Sequence, residues 1–250
     1  MKVDDRIAER RRQVREERRR SRLRRTVTVA VLAVLLGLAV AVERSSLVAL
    51  AEVRVEGTDR LRPDTVVAAA DLPLGTSTLR LRLGAAEQRV EALPLVAEAT
   101  VRRLDPLTVL VSVRERQPVA VVTGGEAAAL VDDDGIVIAP GSESGLVVID
   151  LGAVQPPSPG SHVTAVPPLA NAHTVMRSLP GPLRTEIVRY EAVADDDVQV
   201  VLADGTRVRL GRAERVDEKA RALGAVLEDL DGRIVALIDV RAPSRPVVHP

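Results

Sequence analysis

The chain has no cysteine, no phenylalanine and no tryptophan; among its 250 residues Tyr190 is the single aromatic side chain, and Lys2 and Lys219 are the only lysines. Without cysteine there are no disulfides and no thiolate metal sites, a composition compatible with either redox compartment. Without aromatic platforms, binding of single-stranded nucleic acid by base stacking loses its main contact. A membrane β-barrel would lack the aromatic girdles that mark its interfaces. Val, Leu, Ile and Ala must therefore fill nearly all of any core. They are plentiful: 46% of the chain is hydrophobic and 28% charged, which suits one or two packed domains and excludes a disordered protein.

The formal net charge of zero conceals an asymmetry. Residues 1–25 carry twelve Lys/Arg against five Asp/Glu, about +7, so the remainder, with 23 basic and 30 acidic groups, stands at about −7. Between them Thr26–Val42 reads TVTVAVLAVLLGLAVAV, uncharged throughout. As a helix it would span roughly 26 Å, at the short end for a membrane crossing. Apolar residues on every face argue against a core helix. Ala39-Val40-Ala41 has the small-x-small form of a signal-peptidase site, and cleavage after Ala41 would release a secreted module. The long basic leader and the length of the apolar run favour an uncleaved anchor. Arginines 18, 19, 20, 22, 24 and 25 then predict a cytoplasmic N-terminus, that is, a single-pass type II protein. Beside an apolar span, the basic leader reads as a topology signal, with anionic lipid as a secondary contact, and no nucleic-acid partner is expected.

Beyond the anchor, AEVRVEG from Ala51 alternates apolar and charged residues with the period of a half-buried strand. Pro63-Asp64 opens a short helix, and GAAEQRVEAL from Gly84 sets Ala86, Val90 and Leu93 on one helical face before Pro94 stops it. AEATVRRL and LTVLVSVRER are strands joined through Leu104-Asp105-Pro106. The expected order is strand, helix, helix, strand, strand. The second unit reads as mostly β. Its signals are the glycine turn in LVDDDGIVIA and the hairpin around Asp204-Gly205 in VQVVLADGTRVRLG. One helix interrupts, with Val216, Ala220, Leu223, Leu227 and Leu230 at helical spacing and Lys219 expected on its solvated side. GRIVALIDVR, from Gly232 to Arg241, is expected to form the last long strand.

Candidates for chemistry fail on spacing. If Asp132 opened an EF-hand loop, Asp134 and Glu143 would fit, but Ile136 and Val137 would occupy the fifth and sixth positions, where a ligand and a glycine are needed. His162, His173 and His249 lack zinc spacing and read as surface residues. GSESG, from Gly141, has Glu143 where a hydrolase elbow needs serine. Arginines 102, 103, 114 and 116 read as the wet face of strands. Both aspartate triplets, 132–134 and 195–197, read as solvated turns. No catalytic residue, metal ligand or cofactor is expected, which leaves an exported metal-dependent enzyme as the weakest alternative.

Several segments carry a resemblance. VRVEGTDRL at 53–61, LPLG at 72–75, ALPLVAEATVRRLDP from Ala92 and VSVRERQPVAVV from Val111 resemble the POTRA domain of the bacterial FtsQ/DivIB cell-division family. VLADGTRVRLG, the helix bearing Lys219 and the closing IDVRAPSRPVV resemble that family's β domain. The family commonly has tryptophan where Leu95 stands and tyrosine where Ala242 stands, and its C-terminal extension has no counterpart here. The resemblance implies an α+β chain: a basic cytoplasmic tail (1–25), a transmembrane helix (26–42), a β-α-α-β-β POTRA domain (51–119) and a mostly antiparallel β domain with a packed helix (120–248). It implies a scaffold at the division septum that binds FtsB-like and FtsL-like bitopic proteins and recruits other divisome proteins through the POTRA domain. Carried onto this sequence, the partner surface is Arg241, Ser244, Val247 and Val248. The alternatives are a binding module unrelated to division and a POTRA-bearing outer-membrane assembly protein.

Overall fold

The computed structural model describes residues 25–250, so the basic tail expected over 1–25 lies almost wholly outside the described residues. The apolar run forms α1 (Arg25–Glu43), whose apolar window is not buried against the other described residues and which is long and apolar enough to cross a membrane.

A small sheet follows. β1 (Glu52–Glu56), α2 (Pro63–Ala70), α3 (Leu83–Glu91), β2 (Val96–Arg103) and β3 (Thr108–Glu115) come in the expected order. The strands lie β1-β3-β2, with β1 parallel and β2 antiparallel to β3. A strand pair separated by two helices can run parallel, whereas the tight turn between β2 and β3 forces antiparallel pairing. Pro63 sits in the first turn of α2, where its missing N–H is not needed. The core beneath the helices is Val66, Ala70, Ala86, Val90, Val96, Val109 and Val111.

The larger unit has β4 (Pro118–Gly124), β5 (Ala127–Asp132), β6 (Val137–Pro140), β7 (Val147–Asp150), α4 (Pro167–Ser178), α5 (Gly181–Glu186), β8 (Ile187–Ala194), β9 (Asp197–Leu202), β10 (Arg207–Gly211), α6 (Val216–Leu230), β11 (Leu237–Asp239) and β12 (Val247–His249). These nine strands form one sheet in the order β12-β11-β10-β9-β8-β7-β4-β5-β6. Five of its eight pairings are antiparallel and three parallel. Both expected hairpins form, and Gly205 takes the positive φ of 90° that its turn requires. α4 and α6 cover one face and bury Leu169, Val175, Leu223 and Tyr190 with the strand valines.

Two expectations for this unit need correction. More than one helix interrupts the strands: α4 and α5 arise from the proline-rich stretch, because Pro167-Pro168 and Pro182 occupy first-turn positions where proline initiates rather than breaks a helix. The last long strand is only the three residues of β11. It runs parallel to β10 with α6 between them, so residues 231–236 serve as the return link, and Ile234 points outward, 70% exposed.

Candidate partner-binding edge and the buried charges behind it

β12 ends the nine-stranded sheet. It pairs with β11 on one side, through Val247 opposite Asp239 and Val248 opposite Ile238, and among the described residues with no strand on the other. All three of its residues are exposed. Alternation along a strand places Val248 beside the buried Ile238 and Val247 on the opposite face with Asp239. There Val247 lines a shallow groove with Asp239, Arg241, Ala242 and Arg245. The link between β11 and β12 is a turn closed by Arg245 N–H donating to the Ala242 carbonyl at 2.9 Å. Pro243 follows Ala242 in it, a position that suits proline's fixed φ. Ser244 is exposed at its tip.

Arg241 is not idle in this turn. Its Nη2 lies 2.7 Å from Asp239 Oδ2 and its Nε 3.1 Å from Oδ1, while its backbone N–H also donates to Oδ1 at 3.0 Å. Burial raises the Asp239 pKa, but the Arg241 guanidinium outweighs this and holds the carboxyl below its ordinary value. The arginine stem lies over Gly211, where an added Cβ would come within 3.1 Å of Arg241 Cγ. Asp239 escaped the sequence reading. Its signal was the i, i+2 spacing of Asp239 and Arg241, which share a face if the strand persists.

Behind this edge, Lys219 corrects the expectation of a solvated position. It is 5% exposed. Its Nζ donates to the carbonyls of Leu210 at 2.8 Å and Arg212 at 2.7 Å, so α6 is tied to the end of β10. Burial lowers its pKa; the Glu214 charge partly opposes this and Arg215 adds to it. β10 shifts register between Arg209 and Gly211 and ends there, and Leu210 and Arg212 on either side of Gly211 turn their carbonyls to the ammonium, which is thereby accepted inside.

At the junction of the two sheets the first aspartate triplet also departs from expectation. Asp133 and Asp134 are exposed, but Asp132 is 4% exposed. Its carboxylate takes Arg116 Nη1 at 2.6 Å and the Ile136 N–H at 2.7 Å. Arg116 is thereby not on a wet face. It follows β3, donates to Val96 O through Nε, and reaches Asp134 at 3.3 Å. Leu95 packs on the far face of the large sheet with Val121, Leu130 and Ile138, so its volume serves the junction rather than the small core. Arg60 pairs with Glu143 across the same junction at 2.8 Å. His173, expected on the surface, is buried on α4 with Nε2 3.3 Å from Asp132 O, and burial lowers its pKa. His162 is exposed and contacts Asp134 O at 3.0 Å. Among the described residues no group of three His, Cys, Asp or Glu could hold a metal ion.

The FtsQ-type POTRA domain family matches residues 48–116, and the FtsQ/DivIB C-terminal domain family matches residues 120–241. A cell division protein FtsQ of Streptomyces bingchenggensis is 31% identical over 239 residues, covering 92% of this chain and 89% of that protein. The chain belongs to the FtsQ/DivIB family of bacterial cell-division proteins. The FtsQ of Mycobacteroides abscessus is 32% identical over 78% of this chain, but the chain spans only 59% of that protein's length, and 62% of the Mycolicibacterium smegmatis one. The solved extracytoplasmic domain of DivIB from Geobacillus stearothermophilus aligns with 48% of this chain and 98% of its own, at 16% identity and a TM-score of 0.31, too loose to carry weight. The FtsQ/DivIB match ends at Arg241. Ser244, Val247 and Val248 lie beyond it.

Proposed function

We propose that the chain is a single-pass type II division scaffold with a cytoplasmic tail (1–25), a membrane helix (26–42), a POTRA domain (51–119) and a partner-binding β domain (120–248). Outside the cytoplasmic membrane, at the septum, it binds FtsB-like and FtsL-like bitopic proteins and so recruits and regulates septal peptidoglycan synthesis. Other divisome proteins dock through the POTRA domain. Its work is assembly rather than turnover. The observation that carries this reading is the exposed edge of β12, which leaves backbone groups for another chain to complete.

The edge is short, and Pro246 immediately before it offers no amide donor. Strand addition over three residues needs side-chain support, which Val247 and Arg241 supply in the groove, Val248 on the other face of β12 and Ser244 in the preceding turn. The Asp239–Arg241 pair presents both signs of charge, so a partner carboxylate competes with Asp239 for the guanidinium. Co-purification of the full chain with the neighbouring bitopic division proteins tests the edge. Arg241→Glu with Val247→Asp is expected to abolish capture while the chain stays folded; undiminished capture would move the interface elsewhere. Depletion is expected to give filamentous or unseparated cells, and normal division after clean deletion would overturn the division role.

A further inference from the structure

The end of the small unit nearest α1 combines exposed leucine with unpaired arginine. Among the described residues outside α1, eleven large apolar side chains are exposed, and five of them are leucines in three segments here: Leu47 (69%), Leu74 (66%), Leu79 (60%), Leu104 (44%) and Leu107 (38%). Hydrogen bonds stitch the three segments together. Leu50 N–H donates to Thr76 O at 2.8 Å, and Gly75 N–H returns a bond to Leu50 O at 2.8 Å. The Thr78 hydroxyl reaches Val48 O at 3.2 Å and Pro106 O at 2.9 Å, and Arg103 Nε donates to Thr78 O at 2.7 Å. Ala51 N–H donates to Leu107 O at 2.8 Å. The leucines are therefore one neighbourhood rather than scattered surface residues, and a grouped exposed apolar patch marks a contact site.

The charge of this neighbourhood is also out of character. Residues 43–50, 73–82 and 102–107 hold five arginines against Glu43 and Asp105, although the chain after residue 25 is acidic overall. Arg80 pairs with Glu43 at the end of α1, and Arg103 is engaged as above. Arg44, Arg82 and Arg102 are exposed and make no side-chain hydrogen bond or ion pair among the described residues. Position completes the case. α1 is 19 residues long, about 28 Å as a helix, against a hydrocarbon core of about 30 Å. No slack remains, so Glu43 falls at the boundary and Leu47, four residues on, within the headgroup layer.

We infer that this end of the small unit is a lipid-contacting surface: Leu47, Leu74, Leu79 and Leu104 enter the outer boundary of the bilayer while Arg44, Arg82 and Arg102 meet anionic headgroups. Apolar insertion beside basic side chains is the chemistry by which surface segments hold to anionic membranes. The contact fixes the small unit's orientation and sets the direction in which the larger sheet and β12 are presented. It rests on α1 being a membrane span.

The full chain in nanodiscs tests it, and the absence of native cysteine makes single labels clean. Environment-sensitive fluorophores go on Leu74→Cys, Leu79→Cys, Val34→Cys within α1, and Ile234→Cys in the larger unit. In bilayers containing phosphatidylglycerol, labels at 74 and 79 are expected to shift to the blue and to be roughly threefold less accessible to an aqueous quencher than the label at 234. Labels at 74 and 79 as accessible as at 234, with Val34 in lipid, would overturn this inference alone; an aqueous Val34 label would overturn the anchor beneath it. The combined variant Arg44→Glu, Arg82→Glu, Arg102→Glu is expected to remove the preference for phosphatidylglycerol over phosphatidylcholine. An unchanged preference would overturn the role of the arginines. Protection at 74 and 79 only on adding the bitopic division proteins would assign the surface to a protein partner instead.

Discussion

The junction between the two sheets and the far edge of the larger one treat charge and backbone in opposite ways. At the junction, Arg116, Asp132 and the ring of His173 are largely withdrawn from water, and each is hydrogen-bonded. At the edge, a half-buried Asp239 holds an Arg241 side chain that is 52% exposed, and among the described residues the outer side of β12 pairs with no strand. Closing an ionic group makes it a determinant of stability, because removing one partner strands the other in low dielectric. Leaving a strand edge open gives up little stability and keeps its hydrogen-bonding capacity for another chain. The same difference separates Glu115 from the surface pairs. Burial raises its pKa, yet the N–H groups of Arg60, Leu61 and Asp59 outweigh this and lower it, clasping the β1–α2 loop to the end of β3.

Four measurements would break or sharpen this contrast. The largest effect is expected for Asp132→Ala, which leaves Arg116 with only the exposed Asp134 as a carboxylate partner and should lower unfolding stability by about 3 kcal/mol; thermal and urea unfolding of the detergent-solubilised chain read this. A loss indistinguishable from zero would mean the junction is not clasped by this pair. Lys219→Met comes next. It orphans the Leu210 and Arg212 carbonyls, an expected loss of about 1–2 kcal/mol after relief of the ammonium's burial. At the edge, Val247→Asp alone should weaken partner capture about tenfold, about 1.4 kcal/mol, with the unfolding midpoint unmoved; a shifted midpoint would make β12 structural.

The smallest effect is a matter of pH. His173 has a folded pKa below its ordinary 6.5, so the unfolded chain binds the proton more readily. Its contribution is fully present above about pH 6.5 and is lost as pH falls from there through the folded value, with a slope of at most about 1.4 kcal/mol per pH unit. Arg177 favours the neutral ring, and Asp133 opposes it. His173→Gln should flatten stability between pH 6.5 and 5. Glu115 acts in a separate window: its lowered pKa stabilises above about pH 4.5 and fades as pH falls through the folded value.

Much of the fold was legible because valine-rich strands and glycine turns speak locally. The order of β1 to β3, the Asp204-Gly205 hairpin and the face of α6 all follow from spacing. α4 was not legible: prolines at 167 and 168 look like a loop until Leu169, Ala172, Val175 and Met176 are seen packed on the sheet. Of the candidate edge, Val247, Val248, Ser244 and Arg241 were named from resemblance. Asp239, which holds the arginine, was missed because a two-residue spacing matters only once both residues are known to share a face.

The sequence by itself determined where this protein is apolar throughout, where it alternates and where it turns, and hence one long apolar helix followed by two sheet-forming units. Those patterns are written in neighbouring residues. Only the tertiary structure decided which charges are buried. Asp132 is no more acidic in sequence than Asp133, and Lys219 no less polar than any surface lysine. What distinguishes them is a carbonyl or guanidinium brought from outside their own element, and the energy of a charge depends on what surrounds it in space.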